Sequence, residues 1–321
     1  MSNSNAVAPA EALPVPQKKR SKFMKTLIDG KYLLLLVIPT VICMALFCYL
    51  PIYGLVIAFM DYKPFVGIFG SEWVGFDNFI RFFNYTFFWR ILKNTVLLSV
   101  YSLLWGFPLP IFFALILNET VNVKFKKFVQ TISYMPHFYS TVVTVGLFTM
   151  LLAPTGGLIT NFLKSLGVEN LNVLADARYF RTIYIISELW QGTGWGAIVY
   201  LAALTNVDPQ LYEAAYVDGA GKLRCVWSIT LPSIAPTIIT MLLLRMGSIF
   251  AVGFERAYLF QTPTTYETSE IISTYVYKVG LGSAGNFSYG SAVGLFNSVV
   301  SLMLVLISNK ISAKVADTAL W

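Results

Sequence analysis

Six long, almost uncharged apolar stretches constrain what this chain of 321 residues can fold into. They lie at about 33–60, 94–117, 135–152, 182–204, 233–254 and 290–307, and the ionisable residues within them are His137, Glu188 and Arg245. A helix needs roughly 20 apolar residues to cross about 30 Å of hydrocarbon. Because the hydrophobicity is continuous rather than alternating, it does not fit a barrel strand. The sequence therefore predicts an all-α, polytopic transmembrane helical bundle with six spans.

Composition agrees with a membrane protein, since 56% of the residues are hydrophobic and 12% are charged, against about 25% charged in soluble domains. The formal net charge of +7 is concentrated in clusters beside the apolar stretches, notably Lys18-Lys19-Arg20 before the first and Lys124, Lys126 and Lys127 after the second. Basic loops face the cytoplasm in membrane proteins. Both termini are therefore expected to be cytoplasmic, and the charge is attributed to anionic lipid rather than to nucleic acid.

The predicted domain organisation has three parts. Residues 1–32 are expected to form a disordered, basic cytoplasmic tail, because the start of the chain is rich in Ala, Pro, Ser and Asn. Residues 33–308 form the transmembrane domain, and 309–321 form a cytoplasmic C-terminal tail. The first apolar run is too long for a cleavable signal sequence and is expected to remain as an anchor.

The segment 208–232, between the fourth and fifth spans, has the features of a helical knob on the cytoplasmic surface. Asp208 is placed as an N-cap followed by Pro209, and Gly219 with Gly221 ends the helix. A second short helix is expected at about 222–230, with Pro232 marking entry into the fifth span. Small residues in this segment would let the backbone of another protein approach closely.

The spacing of residues in this segment resembles the EAA loop of binding-protein-dependent ABC importer permeases. The matching or adjoining positions are Glu213, Ala214, Ala215, Asp218, Gly219, Ala220, Ile229, Leu231 and Pro232. Further stretches, including Ser133-Tyr134-Met135-Pro136-His137 and Gly294-Leu295-Phe296, are similar to the LplB-type branch of the carbohydrate-uptake permeases, which are related to MalF and UgpA. An ordinary capped connecting loop is the alternative interpretation of 208–232.

This resemblance implies a MetI-like permease fold in a bacterial cytoplasmic membrane and a defined set of partners. A permease of this family pairs with a second, similar permease and with two ATPase subunits, and an extracytoplasmic binding protein delivers an oligosaccharide or polysaccharide fragment. The loop 208–232 would dock on the ATPase and couple ATP hydrolysis to transport. ATP and Mg would be bound by the separate ATPase subunit, so no cofactor is expected in this chain.

An enzymatic function has no support in the sequence. Gly219-Ala220-Gly221-Lys222 is a fragment of a phosphate-binding loop, but Leu223 follows the lysine and Tyr216 occupies the position of the first glycine. His137 is the single histidine, and with three scattered cysteines it does not form a metal-binding cluster. The chain is therefore expected to be a transport subunit without its own ATPase, catalytic or metal site.

Candidate pathway residues come from polar groups at membrane depth, which usually face a cavity or a partner. Tyr184, Glu188, Gln191 and Trp195 are spaced along one face of the fourth span, as expected for a polar and aromatic wall that contacts sugars. Arg245 and Asn297 are further candidates. The alternative is that Glu188 pairs with Arg245 between helices.

Gly192 and Gly196 form a small-residue motif that predicts close packing of the fourth span. The alternatives to a carbohydrate permease are an ABC permease for a non-sugar solute and, with less support, an ion-coupled secondary carrier, which would be expected to show broken helices and midplane charges.

Overall fold

The computed structural model describes residues 31–167, 172–247, 253–282 and 285–315. The chain divides into two compact units, Met1–Leu55 and Val56–Trp321. In the first unit, α1 (Lys31–Met44) is followed by a π-helical turn (Ala45–Tyr49) and by a 3-10 helix (Leu50–Phe59) that continues into the second unit. Residues 1–30 of the predicted tail 1–32 lie outside the described residues. Residues 31 and 32 belong to α1, so the first helix begins two residues before the predicted boundary.

The second unit is helical apart from one short antiparallel pair of strands, β1 (Met60–Asp61) and β2 (Glu72–Trp73), in which Met60 faces Trp73. Its helices are α2 (Gly67–Gly70), α3 (Asp77–Phe83), α4 (Phe88–Gly106), α5 (Pro108–Asn118), α6 (Val123–Tyr134), α7 (Thr141–Leu151), α8 (Leu158–Ser165), α9 (Ala177–Leu204), α10 (Pro209–Val217), α11 (Lys222–Cys225), α12 (Leu231–Gly247), α13 (Phe254–Phe260), α14 (Tyr266–Ser269), α15 (Ile272–Gly280) and α16 (Phe287–Val315).

Four helical stretches in the described part of the chain are long and apolar enough to cross a membrane: Leu35–Phe59, Phe88–Asn118, Lys222–Met246 and Phe287–Ile307. They overlap the first, second, fifth and sixth predicted spans, and residues 248–252 of the fifth predicted span lie outside the described residues. The fourth predicted span lies on α9, which has 28 residues but is less apolar because it contains Arg178, Arg181, Glu188 and Gln191. Its length of roughly 42 Å still exceeds the hydrocarbon thickness.

The third predicted span, 135–152, is wrong as a continuous helix. Met135–Phe138 forms a 3-10 turn that contains Pro136, and a new helix, α7, begins at Thr141. The side chain of Ser140 caps α7 by accepting a hydrogen bond from the backbone N–H of Val143 at 3.3 Å. With 11 residues, α7 alone is roughly 16 Å long, so this part of the chain combines α6, the 3-10 turn and α7.

The second short helix predicted for 222–230 is also wrong as a separate element. Helices α11 and α12 are joined by a π-helical turn, Val226–Thr230, so that the fifth span continues from Lys222 to Gly247. Pro232 and Pro236 lie inside this helical stretch, as membrane helices tolerate when neighbouring groups satisfy the freed backbone atoms.

Two further helices extend beyond the spans predicted from the sequence. Helix α4 begins six residues before the predicted start at 94, and Pro108 opens α5 after a break at Phe107. Helix α16 extends to Val315, so the C-terminal tail predicted for 309–321 begins as a continuation of the last span. Residues 316–321 lie outside the described residues.

Helix α9 links two of the three clusters of buried apolar side chains. Phe180, Ile183 and Ile185 pack with Leu98 and Ala257, among others, in one cluster. Toward its C-terminal end, Ala197, Tyr200 and Leu204 pack with residues of α5 and α12, including Ile111 and Ile234. The third cluster is aromatic and joins α3, α4, α15 and α16 through Phe82, Phe88, Tyr275 and Tyr289.

Close helix contacts are present at one glycine of the predicted pair and at one glycine outside it. A side chain at Gly192 would meet open space, whereas a Cβ at Gly194 would overlap the backbone carbonyl of Ser133 on α6. Gly196 faces Pro110 on α5, whose ring atoms would lie 3.2 and 3.3 Å from an added Cβ. The close packing predicted from Gly192 and Gly196 is therefore present at Gly194 and Gly196.

Candidate functional site

The segment 208–232 presents a short, well-capped helix at its start. The side chain of Asp208 accepts a hydrogen bond from the backbone N–H of Gln210 at 2.9 Å, and Pro209 occupies the first turn of α10. At the other end Gly219 has a φ of +79°, a conformation that glycine adopts without a Cβ penalty. Asp208, Pro209 and Gly219 therefore have the local roles expected from the sequence.

Two backbone hydrogen bonds define the C-terminal cap of α10. The N–H of Ala220 donates to the carbonyl of Ala215 at 2.8 Å, and the N–H of Gly219 donates to the carbonyl of Tyr216 at 3.1 Å. This pair of bonds is the Schellman motif, which satisfies carbonyls that the helix end would leave unpaired. The turn after α10 is consequently fixed by the backbone rather than by contacts of its side chains.

One contact joins α10 to the fifth span within this segment, and a second joins the segment to α5. The hydroxyl of Tyr212 lies 2.9 Å from the hydroxyl of Thr230, which is buried in the π-helical turn. Lys222 forms an exposed ion pair of 3.9 Å with Glu119 at the end of α5. Exposed pairs of this kind contribute little stability, so Tyr212 and Thr230 provide the firmer link between α10 and the fifth span.

The family-motif residues form an exposed surface of mainly small side chains. Glu213, Ala214, Asp218 and Gly219 are exposed, and Pro232 is exposed on the following helix. Ala215, Ala220 and Leu231 are partly buried beneath them. The segment can therefore offer α10 and its turn to another protein without unfolding.

A second polar region lies along α9, where Glu188 and Arg245 form an ion pair. The Nη2 atom of Arg245 lies 2.8 Å from Oε1 of Glu188 and donates to the hydroxyl of Ser102, also at 2.8 Å. Ser102 in turn donates to the same Glu188 oxygen at 2.7 Å. The two charged side chains are 24% and 41% exposed, so the interhelical pair that the sequence left open is present and accessible at one side.

Arg256 on α13 forms hydrogen bonds with other residues of α9. It donates to the hydroxyl of Ser187 at 2.9 Å and to the side-chain oxygen of Gln191, and its guanidinium lies 5.8 Å from the centre of the Tyr184 ring. The amide of Gln191 also donates to the carbonyl of Tyr139 at 2.7 Å. Arg256 is only 8% exposed. Arg256 was not among the candidates predicted from the sequence. Its position two residues after the predicted fifth span could have indicated a functional or packing role.

The single polar face predicted for the fourth span is therefore divided. Tyr184 is 2% exposed and contributes to the core, while Gln191 joins α9 to α13 and to the start of α7. Trp195 is exposed and stacks on His137, with ring centres 4.4 Å apart and planes within 4°. Of these four residues, Glu188 forms the ion pair with Arg245, so the four side chains have different surroundings.

Asn297 lies on α16 beside a shallow cavity of about 290 Å³. Its side-chain oxygen is buried and has no hydrogen-bond partner in the described part of the chain. Phe254 and Tyr277 line the same cavity. The structure therefore places Asn297 beside a mostly apolar cavity that neither Glu188 nor Arg245 lines.

A further charged cluster surrounds Glu270, at the far end of the bundle from the segment 208–232. The buried carboxylate of Glu270 accepts from Arg90 at 2.6 Å and from Lys278 at 3.3 Å. Asn94, also buried, donates to the backbone carbonyls of Glu267 and Glu270 at 2.9 and 3.1 Å. These contacts tie α4 to α14 and α15, and no sequence motif had indicated them.

Comparisons with known proteins agree with this arrangement. Residues 94–313 match the model of the family described as binding-protein-dependent transport system inner membrane component. The chain is 46% identical over 322 residues to the polygalacturonan/rhamnogalacturonan transport system permease protein YteP of Bacillus subtilis (strain 168), with 100% of both chains covered. It is 42% identical over 303 residues to protein LplB of the same organism, covering 94% of this chain and 95% of that protein.

Solved structures give the same result for the fold. The chain resembles one chain of a bacterial ABC transporter involved in the import of the acidic polysaccharide alginate, with a TM-score of 0.85, 41% identity, and 92% and 100% of the two chains covered. A second structure, of a bacterial alginate ABC transporter in complex with an alginate pentasaccharide-bound periplasmic protein, gives a TM-score of 0.86 at 41% identity, covering 94% and 100%. The family match over residues 94–313 includes the Glu188–Arg245 pair and the segment 208–232.

Proposed function

This chain belongs to the binding-protein-dependent transport system inner membrane component family, and on that premise we propose that it is one permease subunit of an ABC importer for oligosaccharides or polysaccharide fragments. It is a multi-pass protein of the inner membrane with the fold of an ABC importer permease. The observation that carries the proposal is the end-to-end similarity to a permease named for polygalacturonan and rhamnogalacturonan transport.

The proposed partners follow from the same relatives. A second permease and two ATPase subunits would complete the membrane complex, with ATP and Mg bound by the ATPase subunits and no ATPase site in this chain. A binding protein would deliver the sugar, as the periplasmic protein in the alginate transporter complex suggests. The basic residues of α6, Lys124, Lys126 and Lys127, support a cytoplasmic position for the segment 208–232 and for both termini.

We assign coupling to the segment 208–232. Its exposed surface is made by Glu213, Ala214, Asp218, Gly219 and Pro232, and the partly buried Ala215, Ala220 and Leu231 support it. The capped helix α10 would transmit movement of the ATPase to the fifth span, because Tyr212 links it to the π-helical turn within that span. A leucine at Gly219 would be strained by the positive φ and would obstruct the surface. Gly67 offers a matched control, since it has a φ of +70° and open surroundings outside this segment.

The pathway candidates differ in their exposure. Glu188, Arg245 and Trp195 are partly exposed, which is consistent with positions beside the sugar path. Tyr184 is buried, so it would pack behind the residues that line the path. Gln191 and Asn297, which are also partly buried, are retained as candidates. Replacing Glu188 with glutamine keeps the shape and removes the charge, so it should alter sugar-stimulated ATP hydrolysis in an intact complex. Failure of the complex to assemble would instead assign the Glu188–Arg245 pair to packing alone.

The proposal is tested by purifying this chain with its attached subunits and reconstituting them in lipid vesicles with the binding protein. ATP-dependent uptake of an oligosaccharide is expected, and Gly219→Leu should abolish it while Gly67→Leu leaves it intact. Uptake and ATPase recruitment that both survive Gly219→Leu would exclude this segment as the coupling contact. Accumulation of solute by vesicles bearing this chain alone, with only a proton or sodium gradient, would overturn the importer assignment.

A further inference from the structure

A groove of about 420 Å³ runs between α4 and α9, on the part of α9 farthest from the segment 208–232. Tyr101 and Trp105 form one wall, and Ile185 and Leu189 form much of the other. Arg181 lies at its outer end, one turn beyond Ile185. Trp105 is 61% exposed, so an aromatic face and a guanidinium are both available to a ligand.

Arg181 differs from its neighbouring arginines in having no carboxylate partner among the described residues. Arg90 pairs with Glu270 at 2.6 Å, and Arg178 pairs with Asp176 at 2.6 Å. The hydrogen bond between Arg178 and Asp176 also lowers the pKa of that carboxyl group, which keeps the pair charged. Arg181 instead donates to the neutral side-chain oxygen of Asn94 at 2.8 Å, and its buried Nε has no partner in the described part of the chain.

Asn94 holds Arg181 in a fixed orientation. It is 2% exposed, and its amide nitrogen is already committed to the carbonyls of Glu267 and Glu270. Its side-chain oxygen is therefore the atom that faces Arg181. A guanidinium beside apolar walls with one neutral partner lacks the anion that usually compensates a partly buried charge.

The inner end of the groove reaches the Glu188–Arg245 pair. A Cβ added at Gly106 would lie 3.4 Å from Nη2 of Arg245 and 3.9 Å from the side chain of Leu189, so these groups are adjacent. Arg181 and Glu188 are seven residues apart on α9, which corresponds to roughly 10 Å along the helix axis. Because Glu188 neutralises Arg245, the charge of Arg181 remains uncompensated in the groove.

We propose that this groove is a binding site for an acidic oligosaccharide, with Arg181 contacting a uronate carboxylate and Tyr101 and Trp105 contacting the sugar ring. The inference rests on the proposed import function and adds the charge of the sugar and the residues that select it. A planar guanidinium can bind a carboxylate through two parallel hydrogen bonds, which lysine cannot reproduce. A phospholipid phosphate offers the same anionic chemistry, so the test must separate the two ligands.

The test uses the complete importer, purified with its attached subunits, in phosphatidylcholine vesicles and again with added phosphatidylglycerol. Oligogalacturonates and alginate oligosaccharides serve as acidic probes, and galacto- and manno-oligosaccharides of equal length serve as neutral probes. ATP hydrolysis is measured with the binding protein empty and loaded. Arg181→Gln is compared with Arg181→Lys, and with Arg178→Gln as a control at a neighbouring arginine that already has an acidic partner.

The expected result is that an acidic probe stimulates the wild-type complex and that Arg181→Gln lowers this stimulated rate about tenfold, as the loss of a charged hydrogen bond would. Arg181→Lys should retain part of the rate, and Arg178→Gln should retain it fully. The rate with empty binding protein should not change.

Three results would overturn the inference while leaving the importer function intact. They are stimulation by neutral probes alone, an unchanged acidic-probe rate in Arg181→Gln, and a defect in that variant that also appears with empty binding protein or depends on phosphatidylglycerol. The last would assign Arg181 to lipid or to packing. If no sugar of either kind stimulates the complex, the proposed function itself fails.

Discussion

Replacing Gly194 with alanine is expected to destabilise the packing of α6 against α9. Gly194 is buried where the two helices approach, and an added Cβ would lie 2.5 Å from the carbonyl carbon of Ser133 and 2.9 Å from its Cβ. Because most of the obstruction is backbone, rotation of a side chain cannot relieve it. One of the two helices would have to move.

The size of the effect follows from two opposing terms. Alanine improves helix propensity over glycine by up to about 1 kcal/mol, whereas overpacking a close contact costs about 1–3 kcal/mol. Gly192 lies two residues earlier on the same helix and has open space around it. Gly192→Ala should therefore gain the stabilisation from helix propensity without the cost of steric overlap. The difference in unfolding free energy between the two variants should be about 1–3 kcal/mol.

Thermal unfolding of the purified protein, followed by tryptophan fluorescence at one heating rate, measures this difference. A fixed rate is needed because membrane complexes often unfold irreversibly. A large domain shifts its midpoint by roughly 2–4 °C per kcal/mol, so Gly194→Ala should unfold several degrees below Gly192→Ala. Equal midpoints, or a lower midpoint for Gly192→Ala, would refute the reasoning about the α6–α9 contact.

Three further outcomes are expected. Gly290→Ala should lower the thermal midpoint because its Cβ would lie 2.8 Å from the Cα of Gly280, whereas Gly294→Ala, in open space, should not; equal midpoints would contradict this contact. Tyr212→Phe removes the 2.9 Å hydrogen bond with Thr230, which contributes about 1 kcal/mol. Backbone hydrogen exchange in α10 should therefore be faster in this variant. An unchanged exchange rate would show that other contacts hold the helix. Arg256→Gln should lower the midpoint more than the exposed Arg178→Gln, since Arg256 is buried and bonds to Ser187; the reverse order would argue against its network.

The sequence alone determined the architecture and the class of protein. Long uncharged runs predict membrane helices because the cost of burying charge in hydrocarbon acts on each segment by itself. The caps of α10 were likewise predictable, since Asp208, Pro209 and Gly219 act through hydrogen bonds and dihedral angles within a few residues. The family resemblance also rested on a local spacing, and the family match confirmed it.

Tertiary structure decided which side chains meet. The partners of α9 come from distant parts of the chain, so its spacing could not reveal that Glu188 contacts Arg245 while Gln191 contacts Arg256. The close approach at Gly194 rather than Gly192 depends on where α6 crosses, and the third predicted span failed because the 3-10 turn at Pro136 interrupts it. Helical periodicity fixes a face of a helix, but only packing decides what that face touches.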